Sequence, residues 1–323
     1  MRAVVVEQYG GPEVLKLVER DAPAAGAGQL VVDVAAAGVN FADVYGREGR
    51  PPYAQQPPFV GGAEAAGVVT AVGADVSGFA PGDRVAWAGA PGSYAEQAVV
   101  PAAAAVPVPE GVDLLTAAAV MLQGLTAHYL SDGAFPVAEG DVAVVHAAAG
   151  GVGLLLTQLV KMRGGIVVAT TSTAEKAELA RQAGADHVAG YDDFGSVAKA
   201  VSGGAGASVV YDGVGQSTFD ASLASLRPRG SLVLYGAASG PVPPFELQRL
   251  AAGGSLFITR PTLGSYIASR DELLARSDDL FRWIGDGRLS VRIGGTYPFA
   301  GAAKAHEDLE ARRTTGKLLL LPG

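Results

Sequence analysis

Cysteine is absent from the 323 residues, which excludes disulfides, thiolate nucleophiles and any Cys-ligated zinc or iron–sulfur centre. Histidine is scarce, at His128, His146, His187 and His306, so a His-rich metal site is not expected. Charged residues make up only 17% of the chain, and 32 acidic against 24 basic side chains leave a net charge of −8. Phosphate backbones are held by clustered Lys and Arg, so no nucleic-acid partner is expected. The opening MRAVVVEQYGG reads as strand then turn and lacks the long apolar core of a signal peptide. The one uncharged stretch of spanning length, residues 142–160, holds His146, Thr157, Gln158 and three clustered glycines. It breaks in its middle into two patterns, so a membrane span is the weaker reading. A soluble, cytoplasmic protein without membrane partners is expected.

What the chain has in abundance is glycine, 45 residues, within a composition that is 49% apolar. That excludes disorder for most of the chain and implies many tight turns and close backbone approaches. The length points to about two domains. Over the first 120 residues, short Val-rich runs at 3–6, 29–34, 67–72, 84–87 and 94–100 alternate with Gly/Pro punctuation such as Gly10-Gly11-Pro12 and Pro81-Gly82-Asp83. This spacing predicts an antiparallel or barrel-like domain. Residues 114–130 then show helical periodicity. Beyond them strands are expected at 141–146, 166–170, 186–188, 208–211, 231–235 and 255–259, with helices at 151–162, 173–182, 194–201, 217–226 and 245–251. Six strands alternating with helices predict an α/β, doubly wound parallel sheet. Helices at 271–285 and 300–313 and a strand at 317–321 are read as returning to the first domain. That domain is therefore discontinuous, covering 1–122 and 265–323, with 123–264 as the parallel-sheet domain.

The most informative segment runs from a buried strand through Ala148-Ala149-Gly150-Gly151-Val152-Gly153 into a helix. A dinucleotide turn asks for glycine at a tight turn, at the approach to pyrophosphate and at a helix–strand contact. Gly150 and Gly153 fill the second and third places and Ala148 stands at the first. Amide hydrogens at the helix start would then hold the pyrophosphate. An NAD site carries Asp or Glu at the end of the second strand, yet here that strand ends Thr170-Thr171-Ser172-Thr173, followed by Glu175 and Lys176. Small hydroxyls and a cation suit a 2′-phosphate, which favours NADPH.

With these residues in view, the chain resembles the zinc-independent quinone oxidoreductase (zeta-crystallin-like) branch of the medium-chain dehydrogenase/reductase superfamily. The resemblance is carried by Gly10-Gly11-Pro12-Glu13-Val14-Leu15, Gly38-Val39-Asn40-Phe41-Ala42-Asp43-Val44-Tyr45, Glu64-Ala65-Ala66-Gly67 and Gly124-Leu125-Thr126-Ala127. Further along it rests on the glycine turn itself, Val210-Tyr211-Asp212-Gly213-Val214-Gly215 and Gly254-Ser255-Leu256-Phe257-Ile258-Thr259-Arg260-Pro261-Thr262. It implies a GroES-like β-barrel domain plus a Rossmann domain, with cofactor in the cleft between, and a homodimer that pairs the strand at 255–259 with its copy. Zinc-dependent relatives carry Cys where this chain has Asn40, and Gly-His-Glu where it has Gly62-Ala63-Glu64. No metal site is therefore expected, and no Lewis acid for alcohol oxidation.

The expected activity is hydride delivery from NADPH to a quinone or another activated enone. By the resemblance, Asn40, Phe41 and Asp43 line the cleft near the nicotinamide and Tyr45 faces the substrate. Asn40, Asp43 and Tyr45 are the catalytic candidates, with Asn40 donating to the acceptor carbonyl. Tyr53 lies out of register for the second Tyr of some relatives. The cofactor candidates are Phe41, Thr126, Ala148, Gly150, Gly151, Val152, Gly153, Thr171, Ser172, Lys176, Tyr191, Gly236, Ala237, Thr259, Arg260 and Thr262, with Lys317 as a weaker one. Thr126 is placed at a helix start, where a cap is its plainer reading. His128 and His146 read as satisfied core histidines. Two alternatives stand beside this reading: an enoyl-thioester or enone reductase, and a non-catalytic nucleotide-binding or RNA-binding protein.

Overall fold

The computed structural model describes all residues from Met1 to Gly323. They form two compact units, Met1–Leu122 with Ile267–Gly323 and Gln123–Tyr266. The first unit opens with β1 (Arg2–Val6), β2 (Leu15–Glu19), β3 (Gln29–Val39), α1 (Phe41–Arg47), β4 (Phe59–Val60), β5 (Glu64–Val72), β6 (Arg84–Ala88), β7 (Gln97–Pro101) and β8 (Val106–Pro107). The Val-rich runs fall in β1, β3, β5, β6 and β7. β3 continues five residues beyond the expected end, through Ala35-Ala36-Ala37-Gly38-Val39. Alanine and glycine favour strands poorly, and here cross-strand pairing with β5 holds them extended.

α2 (Leu114–Tyr129) is apolar all round and, with the wider turn that prolongs it to Ala134, is long and apolar enough to cross a membrane. Yet most of that stretch is buried inside the protein, which is how a core helix looks. The stretch at 142–160, considered from the sequence, is divided between a strand and a helix.

The second unit contains β9 (Val142–Val145), α3 (Gly151–Met162), β10 (Ile166–Thr170), α4 (Ala174–Gln182), β11 (His187–Ala189), α5 (Phe194–Val201), β12 (Ala207–Asp212), α6 (Phe219–Ala224), β13 (Leu226–Leu234), α7 (Gln248–Ala252), β14 (Phe257–Thr259) and α8 (Leu263–Tyr266). The strand order is β11-β10-β9-β12-β13-β14, and every neighbouring pair is parallel. This is the doubly wound sheet that the alternation predicts. Val144, Val168, Val210 and Leu232 from the strands pack with Phe194, Ala198, Phe219 and Leu223 from the helices. Each large apolar side chain withdrawn from water contributes roughly 1.5–3 kcal/mol. The strand order reverses between β9 and β12, and such a switch opens a crevice at the carboxyl ends of the strands. β13 begins at Leu226, earlier than the expected 231, because Leu226 pairs with Ala207. The helix expected at 217–226 is correspondingly cut to α6.

The chain then re-enters the first unit with α9 (Arg270–Gly285), β15 (Ile293–Pro298), α10 (Ala302–Glu310) and β16 (Lys317–Leu321). The sheet order there is β15-β16-β3-β5-β6-β8, with β7 also on β3, beside a smaller β2-β1-β4 sheet. β15 was not expected. Its Gly294, Gly295 and Pro298 argue against a strand, and parallel pairing with β16 makes it one. The antiparallel register Leu318↔Val39 sets Lys317 beside Asn40, and Ala37↔Ala65 sets Glu64 beside Gly38.

Candidate active site

In the second unit, the turn between β9 and α3 has a shape that differs in one place from the expected one. The left-handed residue is Ala147, at φ 50°, rather than Ala148. Ala148 is fully buried and its amide donates to Thr170 O at 3.1 Å, while the Gly150 amide closes the turn on Ala147 O at 2.8 Å. A Cβ on Gly153 would lie 2.5 Å from Ala147 O and 2.7 Å from Ala148 Cα, so this glycine makes the helix–strand contact. A Cβ on Gly151 would strike the Gln123 side chain at 1.7 Å. Gly151, Val152 and Gly153 thus begin a twelve-residue helix with Gly150 as its N-cap, and their amides have no partner within it, a setting that favours an anion.

The end of β10 carries no carboxylate. Thr171 is half-buried and Ser172 exposed; the Thr173 hydroxyl caps α4 by accepting from the Lys176 amide at 3.2 Å. Tyr191 follows β11, its ring 5.8 Å from that of His146. Gly236 and Ala237 follow β13, where a Cβ on Gly236 would meet Gly213 O at 2.5 Å. Thr259 ends β14, followed by exposed Arg260 and by Thr262, whose hydroxyl lies 3.2 Å from that of Ser265. All these positions share one edge of the parallel sheet, because each follows a strand's carboxyl end. Thr126 is different. It lies in the last turn of α2 and is buried, so the expected helix-start cap is corrected.

His146 is a satisfied core histidine. Asp212 accepts from the Val214 and Gly215 amides and from the Thr218 and Ser222 hydroxyls, at 2.7 to 2.9 Å. With its proton given to Asp212, Ser222 Oγ accepts from His146 Nε2 at 2.9 Å, and His146 Nδ1 accepts from Thr170 Oγ1 at 2.9 Å. Burial pushes the imidazole down to about 4, against the pull of Asp212. The serine bonds the aspartate and the histidine together, so this order of groups is not that of a nucleophilic triad.

In the first unit, α1 positions the acceptor-side candidates. Asn40 is its N-cap, but the amide is buried and spent. Nδ2 donates to Glu64 Oε2 at 2.8 Å and, more weakly, to Gly38 O at 3.5 Å, and Oδ1 accepts from Lys317 Nζ at 2.7 Å. The role of donor to an acceptor carbonyl is therefore corrected to one of positioning. Lys317 and Glu64 form an ion pair with both side chains essentially inaccessible to solvent, and Glu64 Oε1 also accepts from the Leu122 amide at 2.6 Å. Gly38 makes room for it, since a Cβ there would lie 2.2 Å from Glu64 Oε2. Lys317 is thus taken up within its own unit. Glu64 as a partner was missed; the glycine opposite it was the available signal.

Asp43 is half-buried. Its Oδ2 accepts from the Asn40 amide at 2.8 Å and from the Tyr94 hydroxyl at 3.0 Å. Tyr45 keeps partial exposure in a small aromatic group: Phe41 is 6.2 Å and Tyr53 5.7 Å away between ring centroids, and the Arg50 guanidinium lies 5.6 Å from the Tyr45 ring. The structure therefore brings Tyr53 to Tyr45 despite its shifted place in the sequence.

Residues 26–110 match the family model of the alcohol dehydrogenase GroES-like domain, and residues 151–276 that of the zinc-binding dehydrogenases. The chain is 44% identical over 97% of its length to a quinone oxidoreductase of Pseudomonas aeruginosa, 97% of which is covered. The chain belongs to the quinone oxidoreductases of the medium-chain dehydrogenase/reductase superfamily. Like its relatives, it is an oxidoreductase, built from a GroES-like and a Rossmann-type unit. The quinone oxidoreductase of Escherichia coli complexed with NADPH superposes with a TM-score of 0.96 at 39% identity, with all of both chains covered. A 2-haloacrylate reductase of Burkholderia sp. is 40% identical, over 99% of this chain and 98% of that protein.

Proposed function

We propose that the protein is an NADPH-dependent, zinc-independent quinone reductase, with residues 123–264 binding the dinucleotide and 1–122 with 265–323 supplying the acceptor side. The observation that carries this is the turn at 147–153: unpartnered amides open α3 where Gly153 admits no side chain, and no acid follows at the end of β10. These residues fit a phosphorylated dinucleotide. When bound, NADPH supplies a hydride from its nicotinamide ring. The α3 amides hold pyrophosphate, and Thr171, Ser172 and Lys176 receive the 2′-phosphate. Tyr45 orients the acceptor. Zinc independence is supported by the donor set, in which the oxygens of Asn40 and Glu64 are already engaged by the Lys317 ammonium.

We further infer a cytoplasmic homodimer. β14 is an edge of its sheet and presents Phe257 at 62% exposure, and an open apolar edge invites pairing.

The test is oxidation of NADPH and of NADH by 1,4-benzoquinone. NADPH is expected to be preferred, and Lys176→Ala to weaken NADPH more than NADH. A preference for NADH overturns the cofactor assignment, and equal losses return Lys176 to the solvated surface. The resemblance to a 2-haloacrylate reductase favours a second reading, reduction of an activated C=C bond. A panel of 2-haloacrylate, simple enones and crotonyl-CoA separates it from quinone reduction.

A further inference from the structure

A line of polar groups runs from Asp43 through the first unit, and the reading above gives no role to Tyr94, His306 and Arg47, which lie along it. Tyr94 Oη donates to Asp43 Oδ2 and lies 3.2 Å from His306 Nε2. His306 Nδ1 lies 3.2 Å from Arg47 Nη1, and Arg47 Nη2 donates to Glu310 Oε1 at 2.6 Å. Tyr94, His306 and Arg47 are all buried, whereas the Glu310 side chain is 28% exposed.

The direction of this line follows from the donor inventory. Arginine only donates, so His306 Nδ1 is bare and the neutral ring carries its proton on Nε2. That proton points at Tyr94 Oη, and the tyrosine proton points at Asp43 Oδ2. Burial, and then Arg47, pushes the His306 imidazole down to about 3, so the ring stays neutral and the order is kept. Both donors to Asp43 reach Oδ2, and Oδ1 accepts no bond from the protein.

We propose that Asp43 Oδ1 carries the proton delivered to the reduced acceptor, with Tyr94 and His306 as positioning residues that anchor Oδ2. This rests on the reductase reading. The acceptor gains an electron pair as hydride, which leaves negative charge on its oxygen. The Asp43 O–H bond breaks, an O–H bond forms on the acceptor, and solvent returns a proton to the carboxylate.

The surroundings suit the task. Burial raises the Asp43 carboxyl to about 7, and Glu64 adds to this; the Asn40 amide, Lys317 and the Tyr94 hydroxyl oppose it. A general acid works best with its proton affinity near the operating pH. An enolate is a stronger base than a hydroquinone anion, so an acid matters more for enones than for quinones.

The test has two arms. In the first, protein labelled with 13C at the aspartate carboxyl is titrated without cofactor. One resonance is expected to titrate near pH 7 and to vanish in Asp43→Asn. In Tyr94→Phe it should move to higher pH, because a hydrogen bond to the charged form is lost. In the second, kcat/KM of the wild type falls above pH 7. Asp43→Asn loses that alkaline limb and on the order of 10²-fold in rate with enones, and less with quinones. No titration near 7, or a Tyr94→Phe titration unmoved, overturns the inference. So does an active wild type whose alkaline limb survives Asp43→Asn. A wild type that reduces neither quinones nor enones overturns the functional reading itself.

Discussion

At the scale of single residues, Gly153 is where chain geometry and the proposed cofactor site meet. The atoms that a Cβ would strike, at 2.5 and 2.7 Å, are backbone atoms of Ala147 and Ala148, which cannot rotate aside. Gly153→Ala must therefore lift α3 off β9. The expected cost is about 1–3 kcal/mol, read as a lower melting temperature, and calorimetric titration should show weaker NADPH binding. Gly150→Ala meets its nearest atom at 3.1 Å and should be milder in both measurements. The need for glycine at 153 was legible because the turn and the helix that packs on it lie within a few residues of one another. The positive φ of Ala147 was not, since alanine rarely adopts it. Nor was the fate of the Asn40 amide legible, for Lys317 lies 277 residues further along.

At the scale of elements, local periodicity served best where strand and helix alternate. α3, α5 and β10 begin and end where their patterns do, because the two helices each lay one face on the parallel sheet and β10 is buried within it. Elements defined by a neighbour escaped: β15 has only β16 to make it a strand. β14 is short, three residues, and its open edge carries Phe257. Phe257→Lys places a charge at that edge and should convert the proposed dimer to monomer in sedimentation, with the melting profile of the second unit retained. A wild type that is already monomeric at micromolar concentration would dismiss the edge pairing.

At the scale of the whole molecule, the buried titrating groups set the response to pH. His146 and His306 are held neutral down to about 4 and 3, against an ordinary 6.5. Between those values the unfolded chain binds more protons than the folded one, so stability is lost as pH falls below 6.5. Asp43 acts in the opposite sense. Raised from 3.8 to about 7, it holds a proton in the folded state that the unfolded chain has released, and its contribution fades as pH rises through 7. Two histidines outweigh one carboxyl, so the melting temperature should drop between pH 6.5 and 4 in scanning calorimetry. Asp43→Asn should steepen the drop; a flat profile would contradict the neutral histidines. By itself the sequence determined the parallel sheet, the glycine turn between β9 and α3 and the lack of an acid after β10, because these depend on residues close together in the chain. Only the tertiary structure decided that Lys317 closes on Asn40 and Glu64, and that Tyr94 and His306 stand behind Asp43. Those partners meet through strand register and helix placement, which no local pattern encodes.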